Sequence, residues 1–485
     1  MTSYSPTPPL PRWSLLPGLI LALALAPPSI GAQSLPELSD RTRAFVASEA
    51  DHFVIRDVVL IDGTGTPAQR EMTVEVRGGR IVGVHPATRA DPPAGAEVID
   101  GSGATLIPGL VMLHEHMFYP SGQGRYNTNE VSFPTLYLAG GATTIRTGGS
   151  LDPYTDLRTA QLIRQGAIPG PEMDVTGPYL EGPGGFIRAF PQLATPQEAR
   201  DHVNFWMDQG VTSFKAYNLI DRATLGAAIE VAHARGAKVT GHLCSITYVE
   251  AADLGIDNLE HGFFAATDWI EDKEPDQCVG GGNASYLALD LEGRQFLDVV
   301  DHLIDRGVAL TSTLNVVERR GEGRPLPPEG ALDVLLPQLR SAVESRLGPA
   351  PDGPSETPEL LRRYMDMEKV FHDRGGLLVA GTDPTGGGDV VPGYANQRAI
   401  QLLVEMGLAI EEAVAVATRN GAIYLEREAE IGTVEEGKRA DLVLMEGDLT
   451  ADLDAIRQMR LVFKDGVAYD SRALFESVGG WVGVR

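Results

Sequence analysis

Two histidines two positions apart, His114 and His116, follow the apolar run at 104–111. Alternate residues of a strand project to the same face, so both imidazoles would point together and offer half of a metal site. The spacing differs from the helical zinc-protease motif, because no histidine stands four residues after either one. Three further strand-like runs end in ionisable residues. The run at 237–241 leads into His242, that at 256–260 into His261, and that at 377–382 into Asp383. In a parallel α/β protein, catalytic groups gather at the C-terminal ends of separate strands. The remaining histidines, His52, His85, His202, His233, His302 and His372, fall in the β-rich end or on helical stretches, where solvation explains them.

Lys215 sits inside the strand-like run 211–217. A lysine there either pairs with a carboxylate or snorkels to water. A third reading is chemical: the neutral amine adds CO2 and becomes a carbamate, an oxygen donor able to bridge two cations. Tyr217, two residues on, shares that strand face and is a candidate to hydrogen-bond a substrate carboxylate or a developing oxyanion, with ordinary packing as the alternative. Arg146, at the end of a strand-like Thr-Thr-Ile, and Arg188, in the Gly-rich loop 182–190, are candidates to clamp a carboxylate, with structural or surface roles as alternatives.

The elements that would position these groups follow from periodicity. Between about 108 and 427, strand-like runs alternate with helical stretches such as 222–235, 294–306 and 395–406, a rhythm that implies a parallel sheet. The two flanks differ from this middle. Short β-branched runs punctuated by glycine fill 53–107, and strand-like runs return within 428–485, which suggests one composite β-sandwich built from both chain ends. Residues 15–26 form an apolar run preceded by Arg12 and followed by Ser29, Gly31 and Ala32, the pattern of a signal peptide over 1–32 and hence of an exported, periplasmic or secreted protein, with an uncleaved, disordered Pro-rich leader as the alternative. No later run reaches the length of a membrane helix, so no stable membrane insertion is expected.

Composition narrows the partners. A formal charge of −26 on 485 residues makes nucleic acid a poor partner. Two cysteines cannot form a thiolate cage, so a metal site must use His and carboxylate donors. Cys244 lies two residues past His242 and Cys278 lies in the loop after the next strand, so in an oxidising compartment they could pair, while two free buried thiols would fit as well. The stretches 263–292 and 318–358 are long for connections and are candidate specificity elements, flexible insertions or oligomer contacts.

The ordered set His114-x-His116, Lys215, His242, His261 and Asp383 resembles the amidohydrolase superfamily, in its imidazolonepropionase-like, Xaa-Pro dipeptidase-like branch with a carboxylated lysine on strand 4. Pro108-Gly109-Leu110, Gly141-Ala142-Thr143-Thr144, Glu260-His261-Gly262, Gly381-Thr382-Asp383 and the closing stretches 417–422 and 431–442 match too. The resemblance covers about 53–470 and implies a (β/α)8 TIM barrel with a small β-sandwich. It implies that His114, His116 and Asp383 hold one divalent ion and His242 and His261 a second, with carboxylated Lys215 bridging. Zinc is the first choice of metal, and these ligands also accept Mn, Co or Ni. Asp383 would take a proton from water and pass it to a leaving amine. The activity implied is hydrolysis of a small amide or peptide beside a free carboxylate, as a dipeptidase, carboxypeptidase or N-acyl amino acid amidase, and a homo-oligomer is expected. A mononuclear cyclic-amide hydrolase or deaminase is the alternative. An esterase or lactonase, or a catalytically dead binding protein, fits less well.

Overall fold

The computed structural model describes residues 37–88, 91–122, 125–280, 282–318, 324–346, 357–385 and 390–483. The expected export signal at 1–32 lies outside them, as do 319–323 and 347–356 of the long stretch 318–358. Among the described residues, no helix is long and apolar enough to cross a membrane.

The apolar run at 104–111 serves two sheets. Gly109 divides it into a strand Ala104–Pro108 and a strand Leu110–Glu115, labelled β1. A Cβ at Gly109 would lie 2.2 Å from the Thr143 hydroxyl oxygen, so the crossing point tolerates no side chain. From β1 onward, parallel strands alternate with helices: β2 (Ala142–Thr147), β3 (Glu172–Asp174), β4 (Ser213–Ala216), β5 (Lys238–Gly241), β6 (Asn258–Glu260), β7 (Ala309–Ser312) and β8 (Leu378–Ala380). β1, β2 and β3 form one parallel sheet, and β4 to β8 another in sequence order. At one seam, parallel bridges Thr176↔Ser213 and Leu180↔Ala216 join the chain beyond β3 to β4. At the other, the amides of Thr382 and Asp383 donate to the His114 carbonyl at 3.2 and 2.9 Å.

The intervening helices start and stop where local chemistry dictates. Thr195 caps Pro196–Gln209 by accepting from the Glu198 amide, and Thr247 and Glu250 form a reciprocal capping box on Tyr248–Leu254. Gly210, Gly255 and Gly407 end their helices in the left-handed conformation that glycine adopts without a Cβ penalty. The predicted helix at 294–306 is observed as Arg294–Asp305, and it buries Phe296, Val299, Val300 and Leu303, the 3–4 spacing of one apolar face.

Strands from both chain ends hydrogen-bond into one nine-stranded sheet. Ala104–Pro108 lies between Leu442–Glu446, antiparallel, and His52–Leu60, parallel. This sheet begins earlier than position 53, with Val46–Ser48 pairing against Val467–Asp470. Its apolar cluster joins the ends directly: the rings of Phe53 and Phe463 stack with centroids 5.3 Å apart, and both side chains are buried. The long stretches after β6 and β7 carry secondary structure of their own, Gly282–Ala288 in the first and Pro337–Arg346 in the second. Phe463→Ala is expected to cost about 3–5 kcal/mol through the cavity it leaves, measured as a lower urea midpoint with an unchanged slope.

Candidate active site

His114 is the penultimate residue of β1, and His116 follows the strand's end, so the two imidazoles come together as their spacing predicts, ring centroids 5.2 Å apart. His261 follows β6 with its ring centroid 4.6 Å from those of both His114 and His242. Asp383 follows β8, its carboxylate 3.1 Å from His116 Nε2 and 3.9 Å from His114 Nε2. Lys215 Nζ, on β4, lies 3.0 Å from His114 Nε2. All six predicted ligand positions therefore meet at the C-terminal strand ends, and five are buried, with His242 half-exposed. His114, His116 and Asp383 each offer a donor atom within 4.8 Å of the others.

Hydrogen bonds fix which nitrogen each ring presents. His114 Nδ1 donates to Glu260 at 2.7 Å, His116 Nδ1 donates to the Gly149 carbonyl at 3.2 Å, and His261 Nδ1 pairs with the Thr313 hydroxyl at 2.7 Å. Outer partners of this kind are what orient metal-binding imidazoles. With Nδ1–H committed, His116 Nε2 turns a lone pair toward an Asp383 carboxylate oxygen. Two acceptors facing each other at that distance call for a cation between them, and the donor set fits one. His261 and Asp383 also hold positive φ, 67° and 47°, uncommon for residues with a Cβ and concentrated at functional sites.

Burial shapes the charges. It lowers the Lys215 ammonium to about 8, against the opposing pull of Glu260 and Asp383. It lowers His116 to about 4 and His242 to about 3, so both are neutral, ligand-competent bases near pH 7. Burial works against ionising Asp383 and Glu260. The imidazoles around Asp383, and His114 with Arg146 around Glu260, nevertheless hold both carboxyls well below their ordinary range.

The expectation that Arg146 clamps a substrate carboxylate is corrected. Its guanidinium is buried among the strands, donating to the Leu113 carbonyl at 2.6 Å, Glu260 at 3.1 Å, Thr240 at 2.8 Å and Ser213 at 3.3 Å. It holds Glu260, which holds His114. Arg188 is exposed on its loop. Tyr217 is half-buried and lines a cavity of about 160 Å3 together with Asp383. Cys244 and Cys278 are bonded, with Cα atoms 4.8 Å apart, which fastens the stretch after β6 to the end of β5.

Glu260 was legible only as part of a motif, yet it stands next to His261 with strand alternation turning it inward. Glu115, next to His114, faces the opposite side of β1. There it accepts from Asn396 at 3.1 Å and from Thr382, and burial still raises it to about 8. Glu368, from the helix Thr357–Asp373, is buried with one carboxylate oxygen unpartnered among the described residues, and burial raises it from 4.5 to about 7.

The profile of the amidohydrolase family matches residues 105–468. An imidazolonepropionase of Micrococcus luteus is 24% identical over 438 residues, 85% of this chain and 94% of that protein. Two solved structures are similar in fold. A Xaa-Pro dipeptidase with bound methionine in the active site matches with TM-score 0.64 and 18% identity over 86% of this chain and 100% of that one. A bottromycin amidohydrolase matches with TM-score 0.66 and 20% identity over 92% and 95%.

Glu260→Gln is expected to weaken metal binding about 10–100-fold, measured by competition with a chelator. Arg146→Met, which strands the Glu260 charge, should lower stability by about 3–5 kcal/mol, read from urea unfolding. Because the folded-state pKa of Glu368 lies above its ordinary value, the wild type loses stability as pH rises from 4.5 toward about 7. Glu368→Gln removes that loss, so its advantage over wild type should grow across this window and level off above it, as measured by denaturation at stepped pH.

Proposed function

The chain belongs to the amidohydrolase family and is a hydrolase acting on C–N bonds; on that premise we propose that it is a binuclear metal-dependent hydrolase of amide or peptide bonds beside a free carboxylate. The two parallel sheets would close into a (β/α)8 barrel, a reading supported by the backbone hydrogen bonds at both seams. The observation that carries the function is the convergence of His114, His116, Lys215, His242, His261 and Asp383 on one set of strand ends, with three Nδ1 atoms already committed.

His114, His116 and Asp383 would hold one divalent ion, zinc by ligand chemistry, and His242 with His261 a second. Lys215, carboxylated on Nζ, would contribute to both. When bound, the ions supply Lewis acidity that acidifies water and polarises the scissile carbonyl. Asp383 accepts the proton from the attacking water. The water oxygen bonds to the carbonyl carbon, the C–N bond breaks with its electron pair on nitrogen, and Asp383 returns the proton to that nitrogen. Tyr217, facing the same cavity, donates a hydrogen bond to the oxyanion or to the substrate carboxylate. Action in an exported protein agrees with the Cys244–Cys278 bond, a feature of oxidising compartments.

The compact trio His114, His116 and Asp383 favours a second reading, a mononuclear cyclic-amide hydrolase or deaminase. Elemental analysis of wild type and Lys215→Ala, each prepared with bicarbonate, separates the two. About two ions per chain in wild type and markedly fewer in the variant are expected, together with hydrolysis of N-acyl amino acids or dipeptides by wild type. One ion in both would sink the bridged site in favour of the mononuclear one.

A further inference from the structure

Two cavities meet at the ligand cluster, one bordered by Asp383 and the other by His242. The first, of about 160 Å3, has Asp383 in its wall and is otherwise dominated by aromatic rings, among them Tyr126, Tyr179, Phe186, Phe190 and Tyr217. Among the described residues, no lysine or arginine lines it. Its rings brace one another: Tyr179 and Phe190 stack at 3.8 Å, and Tyr217 meets Phe190 edge-on at 5.0 Å. Phe186, on the loop that supplies Phe190, is 74% exposed, the most exposed large hydrophobic side chain among the described residues. An aromatic ring held in water at a cavity mouth gains by covering an apolar ligand.

The second cavity, of about 190 Å3, has His242 in its wall and a mixed lining, the rings of Phe264, Tyr286 and Tyr364 beside polar groups of Asn218, Thr267 and Asn283. The Thr267 hydroxyl is buried with no hydrogen-bond partner among the described residues, a costly condition that a ligand group would relieve. Tyr217 and Asn218, consecutive after β4, line the first and second cavity respectively, and the ring centroids of Tyr217 and His242 lie 4.9 Å apart. The two cavities thus share a wall.

A hydrolase must lodge the two halves of its substrate on either side of the scissile carbon. We infer that the aromatic cavity receives the amine half of the substrate, a bulky apolar or aromatic group, and that the cavity at His242 receives a polar acyl half hydrogen-bonded to Thr267. This rests on the proposed reaction, because the leaving nitrogen must lie at the group that protonates it, Asp383, and Asp383 belongs to the aromatic cavity. A cationic amine half is disfavoured: Lys215 Nζ already lies 5.6 Å from the Tyr179 ring centroid and 6.0 Å from that of Tyr217. With no cation in the wall, a carboxylate on the amine half points to the mouth, where the loop of Phe186 also carries exposed Arg188.

The test reads binding apart from turnover. Free L-phenylalanine, L-leucine, L-lysine and glycine, as amine-half probes, are titrated calorimetrically into the metal-loaded full chain. Phenylalanine and leucine should bind at least 10-fold more tightly than lysine and glycine, and Phe190→Ala should weaken phenylalanine at least 10-fold. Phe186→Ala, at an exposed position that folding does not need, should weaken it by a smaller factor. Thr267→Val should raise KM for N-acyl-phenylalanines with a hydrogen-bonding acyl group while leaving phenylalanine affinity unchanged. Lysine binding as tightly as phenylalanine, or phenylalanine indifferent to both Phe variants, would overturn the assignment even if amides are hydrolysed. Phenylalanine binding that depends on both phenylalanine side chains, in a protein that cleaves no amide, would uphold the cavity and reject the reaction.

Discussion

A carboxylate buried among strands stays ionised only where donors and cations surround it, and Glu260 has both. Arg146 on β2 reaches across to it, and the same guanidinium also bonds groups on β1, β4 and β5. One side chain therefore ties five parallel strands at the level just beneath the ligand cluster. Glu260 in turn commits His114 Nδ1, which leaves His114 Nε2 facing Lys215. Without that pair, the most central histidine would lose its defined tautomer, and the groups arranged around it would lose their reference point.

Rigid backbone does the rest of the positioning. A Cβ at Gly148 would fall 2.5 Å from His114 Cδ2, and one at Gly381 would fall 2.4 Å from His114 Cβ, so the ring sits in a slot that only glycine leaves open. His261 and Asp383 take left-handed backbone at the strand ends, and such conformations persist only where the surroundings over-determine them. Behind the strand, Tyr137 donates to the His116 carbonyl at 2.7 Å and accepts from the His116 amide. His114 and His116 are thus held in place by the backbone around them.

The residues that converge at the strand ends were legible in the sequence because strand periodicity and polarity disagree at those positions. His114, Lys215, His242, His261 and Asp383 interrupt or end apolar runs, which is a local signal. The helices were legible for the same local reason, with the predicted 222–235 observed as Arg222–Ala234. Arg146 misled because its neighbours mark a strand but do not say whether the side chain points to the cavity mouth or down among the strands. That depends on Glu260, Ser213 and Thr240, all distant in sequence. The aromatic cavity was illegible for a similar reason, since Tyr126, Tyr179 and Tyr217 come from three separate connections, with Phe190 on the same one as Tyr179, and share no spacing. The division of 104–111 between two sheets was hidden too: only the closeness of Thr143 to Gly109 shows why the chain turns there.

The nine-stranded sheet orders events in time. Ala104–Pro108 finds one of its two neighbours, Leu442–Glu446, only after more than three hundred further residues have been made. At roughly 5–20 residues per second that is tens of seconds of synthesis. Throughout that interval the early strands, including Phe53, have no Phe463 to stack on, and their apolar face stays open. The newborn chain thus cannot complete this sheet until Leu442–Glu446 has left the ribosome, and an apolar face left open for that long is exposed to aggregation if the chain lingers.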